Sequence, residues 1–222
     1  MAFEYCCFIS YPHGQENALV PIVTDFVEGL KNEIGAQDRR PLWFDKILTG
    51  GRRLDAAISA GLCKSACMIM LYTPLYFDAE HAYCARELKA MQDLEEERMK
   101  FLSDKTYSLI IPVILRGEKK FPEVMKQRRY YDFTDHLFNS RSVKIRQKYA
   151  ADIKTIAGYI LDRCDALDAV GNSLQHDCEK YCLPSLEVAR AFVEDVLGKT
   201  IVKIADSFPG RKDSTTPEEG ES

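Results

Sequence analysis

Short apolar runs that alternate with amphipathic helical patterns constrain this chain more than any other feature. Phe3 to Tyr11 is an apolar run punctuated by Glu4 and ended by Pro12-His13-Gly14, which reads as a buried strand. Residues 17 to 34 follow with Leu19, Ile22, Val23, Phe26, Leu30 and Ile34 on one helical face and Asn17 as N-cap. Pro41 to Asp45 is a short second strand, and Lys46 to Arg53 a loop carrying Gly50-Gly51. Leu54, Ala57, Ile58, Gly61 and Leu62 return to helical spacing before a third strand, Ala66 to Thr73, closed by Pro74. A long helix is predicted over about 79 to 101 and a fourth strand over Tyr107 to Leu115. Pro112 suits a strand only at a bulge or near an edge. Tyr130 to Phe133 forms a short fifth strand. A helix over about 142 to 165 buries Tyr149, Ile153, Ile156, Ile160 and Cys164. This alternation predicts an α/β, three-layer fold, a largely parallel sheet with helices on both faces, for which the flavodoxin-like five-stranded order 2-1-3-4-5 is the arrangement considered.

Beyond that unit, assigned to residues 1–165, a helical extension covers 166–208. It comprises a polar connection to 183, then an amphipathic helix over 184 to 206. The segment 209–222 lacks aromatic and aliphatic residues and is expected to be a disordered tail. Thirty Lys and Arg against 34 Asp and Glu give a net charge of -4, which argues against a large nucleic-acid footprint. The N-terminus has no signal-peptide pattern, and no window of about 18 apolar residues would span a membrane. The expected compartment is therefore cytoplasmic and reducing, with all eight cysteines as thiols. Cys6, Cys7 and Cys67 lie in apolar runs as small buried hydrophobes. Cys178 and Cys182 sit at i, i+4 near His176, but a fourth zinc ligand is missing. Packing is the preferred reading there and no metal is assigned.

In a sheet of this order, ligands bind beyond the C-terminal strand ends where strand order reverses. That crevice gathers Ser10-Tyr11-Pro12-His13, the loop Asp45 to Arg53, and Thr73 to Glu80. The ends of strands one and three lack the acidic residues of a phosphoacceptor site, and neither Gly-x-Gly-x-x-Gly nor a P-loop is present. For Lys46, Arg52 and Arg53 a solvated basic loop is the preferred reading over phosphate contacts. The residue that stands out is Glu87. At 100° per residue the third helix carries Tyr83, Ala90, Met91, Leu94 and Phe101 on one face, with Glu87 in the middle, while Glu96 and Glu97 fall off its centre. A carboxylate on a buried face is costly unless it is paired or functional. A structural ion pair and a functional role are both open on this feature alone.

Six segments in register resemble the Toll/interleukin-1 receptor (TIR) domain family: Phe8-Ile9-Ser10-Tyr11, Trp43-Phe44-Asp45 and the Gly50-Gly51 loop, then Ile58-x-x-Gly61-Leu62-x-x-Ser65, Leu71-Tyr72-Thr73-Pro74-x-Tyr76 and Tyr83-Cys84-x-x-Glu87-Leu88. The resemblance runs through residues 3 to about 133. It implies the same sheet and a chemistry: many family members cleave NAD⁺ at the nicotinamide-ribose bond with a glutamate four residues after an aromatic, usually tryptophan. Here the pair is Tyr83 and Glu87, with tyrosine as the departure. The family's substrate pocket maps onto Tyr11, His13 and Asp45, and onto Leu48 and Thr49 in a loop one residue shorter than in some relatives. NAD⁺ would be the substrate and no cofactor is needed.

Self-association through the loop after strand two is a further family property. Other members are non-catalytic adaptors. A free-standing TIR domain with a helical extension resembles bacterial proteins of NAD⁺-based antiphage defence, including the signal-producing subunit of Thoeris systems, whose nucleotide product activates a separate effector. A virulence factor acting on host TIR signalling is a further alternative.

Overall fold

The computed structural model describes residues 3–12, 19–44, 54–106, 108–136, 143–171 and 178–198. Five strands, β1 (Tyr5–Ser10), β2 (Leu42–Trp43), β3 (Ser65–Tyr72), β4 (Ile110–Ile114) and β5 (Tyr131–Asp132), form an all-parallel sheet in the order β2-β1-β3-β4-β5. Every residue of β3 and β4 is buried. Sheets of this kind are covered on both faces, which is why their strands read as continuous apolar runs rather than alternating ones.

The helices are α1 (Leu19–Gly35), α2 (Leu54–Cys63), α3 (Ala82–Arg98), the single turn α4 (Glu123–Lys126), α5 (Val143–Val170) and α6 (Leu186–Leu197). α1 packs on α5, while α2, α3 and α6 pack together, so the sheet lies between two helical groups. The core runs through the middle strands into Phe26, Leu30 and Ile34 of α1, Ile153, Ile156 and Ile160 of α5, and Leu88, Met91 and Leu94 of α3.

Pro112 sits within β4 opposite Met70 without a bulge. Leu115 donates its amide to the Tyr72 carbonyl on the β3 side, and the Ile114 carbonyl accepts from Phe133 on the β5 side. Alternation along the strand therefore turns position 112 toward β5, which begins to pair only at Val113. The missing N–H falls where the neighbouring strand has not yet started.

The Ile58-x-x-Gly61 segment also gains a physical reason. A Cβ on Gly61 would lie 2.3 Å from the Trp43 indole, which stacks on Phe8 with centroids 4.4 Å apart. Glycine lets α2 lie directly against that ring.

Four expectations need correction. The eight cysteines are not all thiols: Cys63 and Cys178 form a disulfide, because the fold brings α2 and the segment before α6 to a Cα separation of 5.6 Å across 115 residues of sequence. Cys178 is thereby committed, residues 178–184 are turn and extended chain rather than helix, and the His176/Cys178/Cys182 zinc option lapses. Phe101 is not on a buried stripe but 50% exposed, since α3 ends at Arg98 and helical spacing has no meaning beyond it. α5 continues five residues past 165, to Val170. The last helix stops at Leu197, where Gly198 adopts φ 58° and closes it with a left-handed cap.

Candidate active site

The chain leaves β1 for β2 on one side and returns to β3 on the other, so strand order reverses between the C-terminal ends of β1 and β3. Three side chains from three segments meet there. Ser10 is the last residue of β1, Tyr76 lies in the turn after β3, and Glu87 is in the second turn of α3. Ser10 Oγ donates to Glu87 Oε2 at 2.6 Å and lies 2.7 Å from the Tyr76 hydroxyl. A serine has one proton. If Glu87 receives it, Tyr76 must donate to Ser10, which makes a directed chain from phenol to hydroxyl to carboxylate. Tyr76 is fully buried, Ser10 is 1% exposed and Glu87 7% exposed.

The titratable neighbours of that carboxylate are held neutral. Burial pushes the Tyr76 phenol well above its usual range, with nearby Cys84 and Glu87 adding to the effect and the Ser10 bond opposing it. Burial raises the Cys84 thiol too, and Glu87 raises it further. The turn that carries Tyr76 is fixed by its own backbone bond to Thr73 and by close approach of Pro74 to Gly117. The φ of 78° at Gly117 and a Cβ clash of 2.4 Å with Pro74 leave room only for glycine.

Tyr83 lies one turn before Glu87 on α3 but is engaged elsewhere. Its hydroxyl donates to Asp55 in the first turn of α2 at 2.5 Å, and Arg86 lies over its ring at 5.1 Å. Arg86 also pairs with Asp55 at 2.9 Å. The Arg86 bond and then the Tyr83 bond hold the Asp55 carboxyl below the usual carboxylate range, and the Asp55 bond raises the Tyr83 phenol. Tyr11 follows Ser10 and is buried in the core. His13, Asp45, Leu48 and Thr49 lie outside the described residues, as does the Gly50-Gly51 loop.

Sequence reasoning found the glutamate and missed how it is held. Both Ser10 and Tyr76 belong to segments singled out by resemblance, but their contact with Glu87 spans the sheet. Glu95 and Arg98 were also missed. Glu95 accepts from the Leu109 amide at 2.6 Å and pairs with Arg128, while Arg98, fully buried, donates to the carbonyls of Cys63, Ser65 and Ala66. These two groups tie α3 to the starts of β3 and β4.

A second cluster brings Cys6, Cys164 and the Asp38 carboxylate within 4.8 Å of one another. Arg40 already covers Asp38 with its Nε and Nη2 groups and reaches Asp168 at 2.9 Å, so a cation there would have to displace a well-bonded guanidinium.

Comparison with curated proteins finds no match to this chain. The model of the TIR domain family matches residues 8–147, well over half of the 222. That interval takes in the sheet from Phe8 of β1 onward, the Ser10–Tyr76–Glu87 chain and the start of α5. The protein belongs to the TIR domain family.

Proposed function

We propose that the protein is an NAD⁺ nucleosidase or cyclase that breaks the nicotinamide-ribose bond, with Glu87 as its catalytic carboxylate. The observation that carries this reading is a glutamate on the buried face of α3, at the strand-order reversal, that accepts a hydrogen bond from the Ser10 hydroxyl. Ser10 and Tyr76 make up a polar device of the kind that orients a carboxylate.

One carboxylate suffices for this chemistry. Nicotinamide in NAD⁺ is cationic and leaves as a neutral ring, so no acid need protonate it, unlike the two-carboxylate scheme of ordinary glycosidases. As the bond lengthens, positive charge develops on the ribose. Glu87 stabilises that charge and accepts from the ribose hydroxyls. The Ser10 bond holds Oε2 in place so that little reorganisation is required in the transition state. The substrate pocket is completed by Tyr11, His13, Asp45, Leu48, Thr49 and Tyr83, with no cofactor. Capture by water gives ADP-ribose, and capture by the substrate's own ADP gives a cyclic product.

The setting we propose is cytoplasmic bacterial antiphage defence. There the enzyme self-associates through its TIR domain and its product activates a separate effector protein. Residues 1–165 are the catalytic domain, 166–208 a helical extension and 209–222 a tail. Among the described residues no helix is long and apolar enough to cross a membrane. Incubation of the protein with NAD⁺, alone and with phage-infected lysate, followed by mass analysis of the products, tests the reading. Nicotinamide with linear or cyclic ADP-ribose is expected. Intact NAD⁺ under both conditions would return the protein to the non-catalytic TIR–TIR adaptors or virulence factors.

A further inference from the structure

Residues 178–184 form a strap across α2 and α3 before α6 begins. Cys63, the last residue of α2, holds Cys178 through the disulfide, and Lys64 next to it pairs with Glu179 at 3.2 Å. Farther along, the Tyr181 hydroxyl donates to the Ala90 carbonyl at 3.0 Å and the Leu183 amide to Ser59 Oγ at 3.0 Å. At its end Arg86 Nε donates to the Pro184 carbonyl at 2.7 Å. The helix that follows rests on α3 through Ala189 and Val193 against Ala85, with Phe77 and Leu197 beside them, and reaches the main core through Val196 and Phe192. The strap ties the start of that helix to α2 and α3 as well.

The far end of the strap braces the first turns of α3. The arginine that holds Pro184 is the one that pairs with Asp55 and covers the Tyr83 ring, and Tyr83 gives its hydroxyl to the same Asp55. The face of the aromatic residue one turn before Glu87 is thus covered by the arginine that the strap holds, and its hydroxyl is bound by that arginine's partner, Asp55.

We propose that the Cys63–Cys178 disulfide is a redox latch. Closed, it keeps strap, Arg86 and Tyr83 in this restrained arrangement. Opened by a small dithiol reductant, it frees the strap and α6 from α3, releases Tyr83 and raises turnover at Glu87. The last clause rests on the NAD⁺-cleaving reading; the latch does not.

The exchange balances. A reductant thiolate attacks Cys178 Sγ, on the half-buried residue, forming a mixed disulfide as the S–S bond breaks and Cys63 departs as thiolate. The reductant's second thiolate then resolves the mixed disulfide and releases Cys178. Two electrons and two protons pass to the protein, and the reductant ends as its own disulfide. Cys63 is 1% exposed, which makes attack at Cys178 the accessible route. Next to that sulfur's own backbone lies Arg98, a fully buried guanidinium that donates to the Cys63 carbonyl at 2.7 Å and to the carbonyls of Ser65 and Ala66. A buried cation of that kind favours an anion beside it.

The test uses the full-length protein purified without reductant. Denatured and alkylated, it is expected to take six labels, rising to eight after dithiothreitol. In the native protein, hydrogen exchange over 178–197 should rise roughly tenfold with dithiothreitol or in Cys178→Ser, while β1 and β3 stay protected. NAD⁺ turnover should rise about fivefold in the same two samples. Eight labels before reduction, or exchange unchanged by it, overturns the latch. Equal turnover in both redox states overturns its coupling to Glu87. No turnover in either state, alone or with phage-infected lysate, with the exchange difference present, overturns the enzymatic reading and leaves the latch standing.

Discussion

Glu87 is legible in the sequence because a helix has a period. A charge amid an apolar stripe is an anomaly that needs no structure to find, and the exposure of Glu96 and Glu97 follows from the same arithmetic. The arithmetic fails where the helix stops, as at Phe101, and it is silent on partners. Ser10 and Tyr76 are 77 and 66 residues from their bonding partners, and nothing local to either announces the contact. Removal of the serine hydroxyl should leave the carboxylate in place but unsteady. We expect Ser10→Ala to lower NAD⁺ turnover about tenfold or more and to cost about 1 kcal/mol of stability. Tyr76→Phe, one bond farther away, should have the smaller effect on turnover. Steady-state kinetics beside thermal melts of the same variants check both, and a Tyr76→Phe defect larger than that of Ser10→Ala would contradict the order of the chain.

Elements were read well where two signals coincide and less well at their ends. The buried strands announced themselves as unbroken apolar runs bounded by turns. Pro112 looked like an objection only because the sequence does not say which side of β4 still lacks a neighbour. The end of α6 was missed because its apolar pattern continues past Gly198, and only the backbone conformation of that glycine reveals the stop. Gly61 shows how one residue sets the approach of two elements. Its replacement by alanine drives a methyl into an indole that is itself pinned against Phe8, so α2 or Trp43 must shift. Gly61→Ala should destabilise the protein by about 2 kcal/mol. Gly158, in α5 with nothing within 4 Å of an added Cβ, is the contrast: alanine there should stabilise by about 0.5–1 kcal/mol. Urea midpoints of the two variants make the comparison.

For the whole molecule, the parallel sheet with helices on both faces was legible because a run of β-α units leaves few right-handed solutions, while its strand order came with the resemblance. The cysteines were not. An argument from compartment treats all eight alike, whereas the fold brings two of them into bonding distance and leaves the other six as free thiols, five of them buried and Cys182 exposed. Long-range ion pairing was equally hidden. Arg40 joins the chain before β2 to Asp168 of α5 and holds Asp38, whose carboxyl titrates below its ordinary 3.8 because of that bond. The sign follows directly. Above pH 3.8 both folded and unfolded chains are ionised there and the pair contributes in full; below it the unfolded chain protonates first, and the contribution fades until the folded carboxyl is protonated as well. Asp38→Asn should therefore cost about 2 kcal/mol at pH 7 and much less near pH 2, measured by urea denaturation at the two pH values. What joins these scales is the claim that one carboxylate, held by a serine at the strand-order reversal, breaks the nicotinamide-ribose bond. The most direct test is the paired assay of the native protein and Glu87→Gln with NAD⁺, matched for folding by their melting curves. The account predicts nicotinamide release by the native protein and none by the equally folded variant. Equal release by both would contradict it.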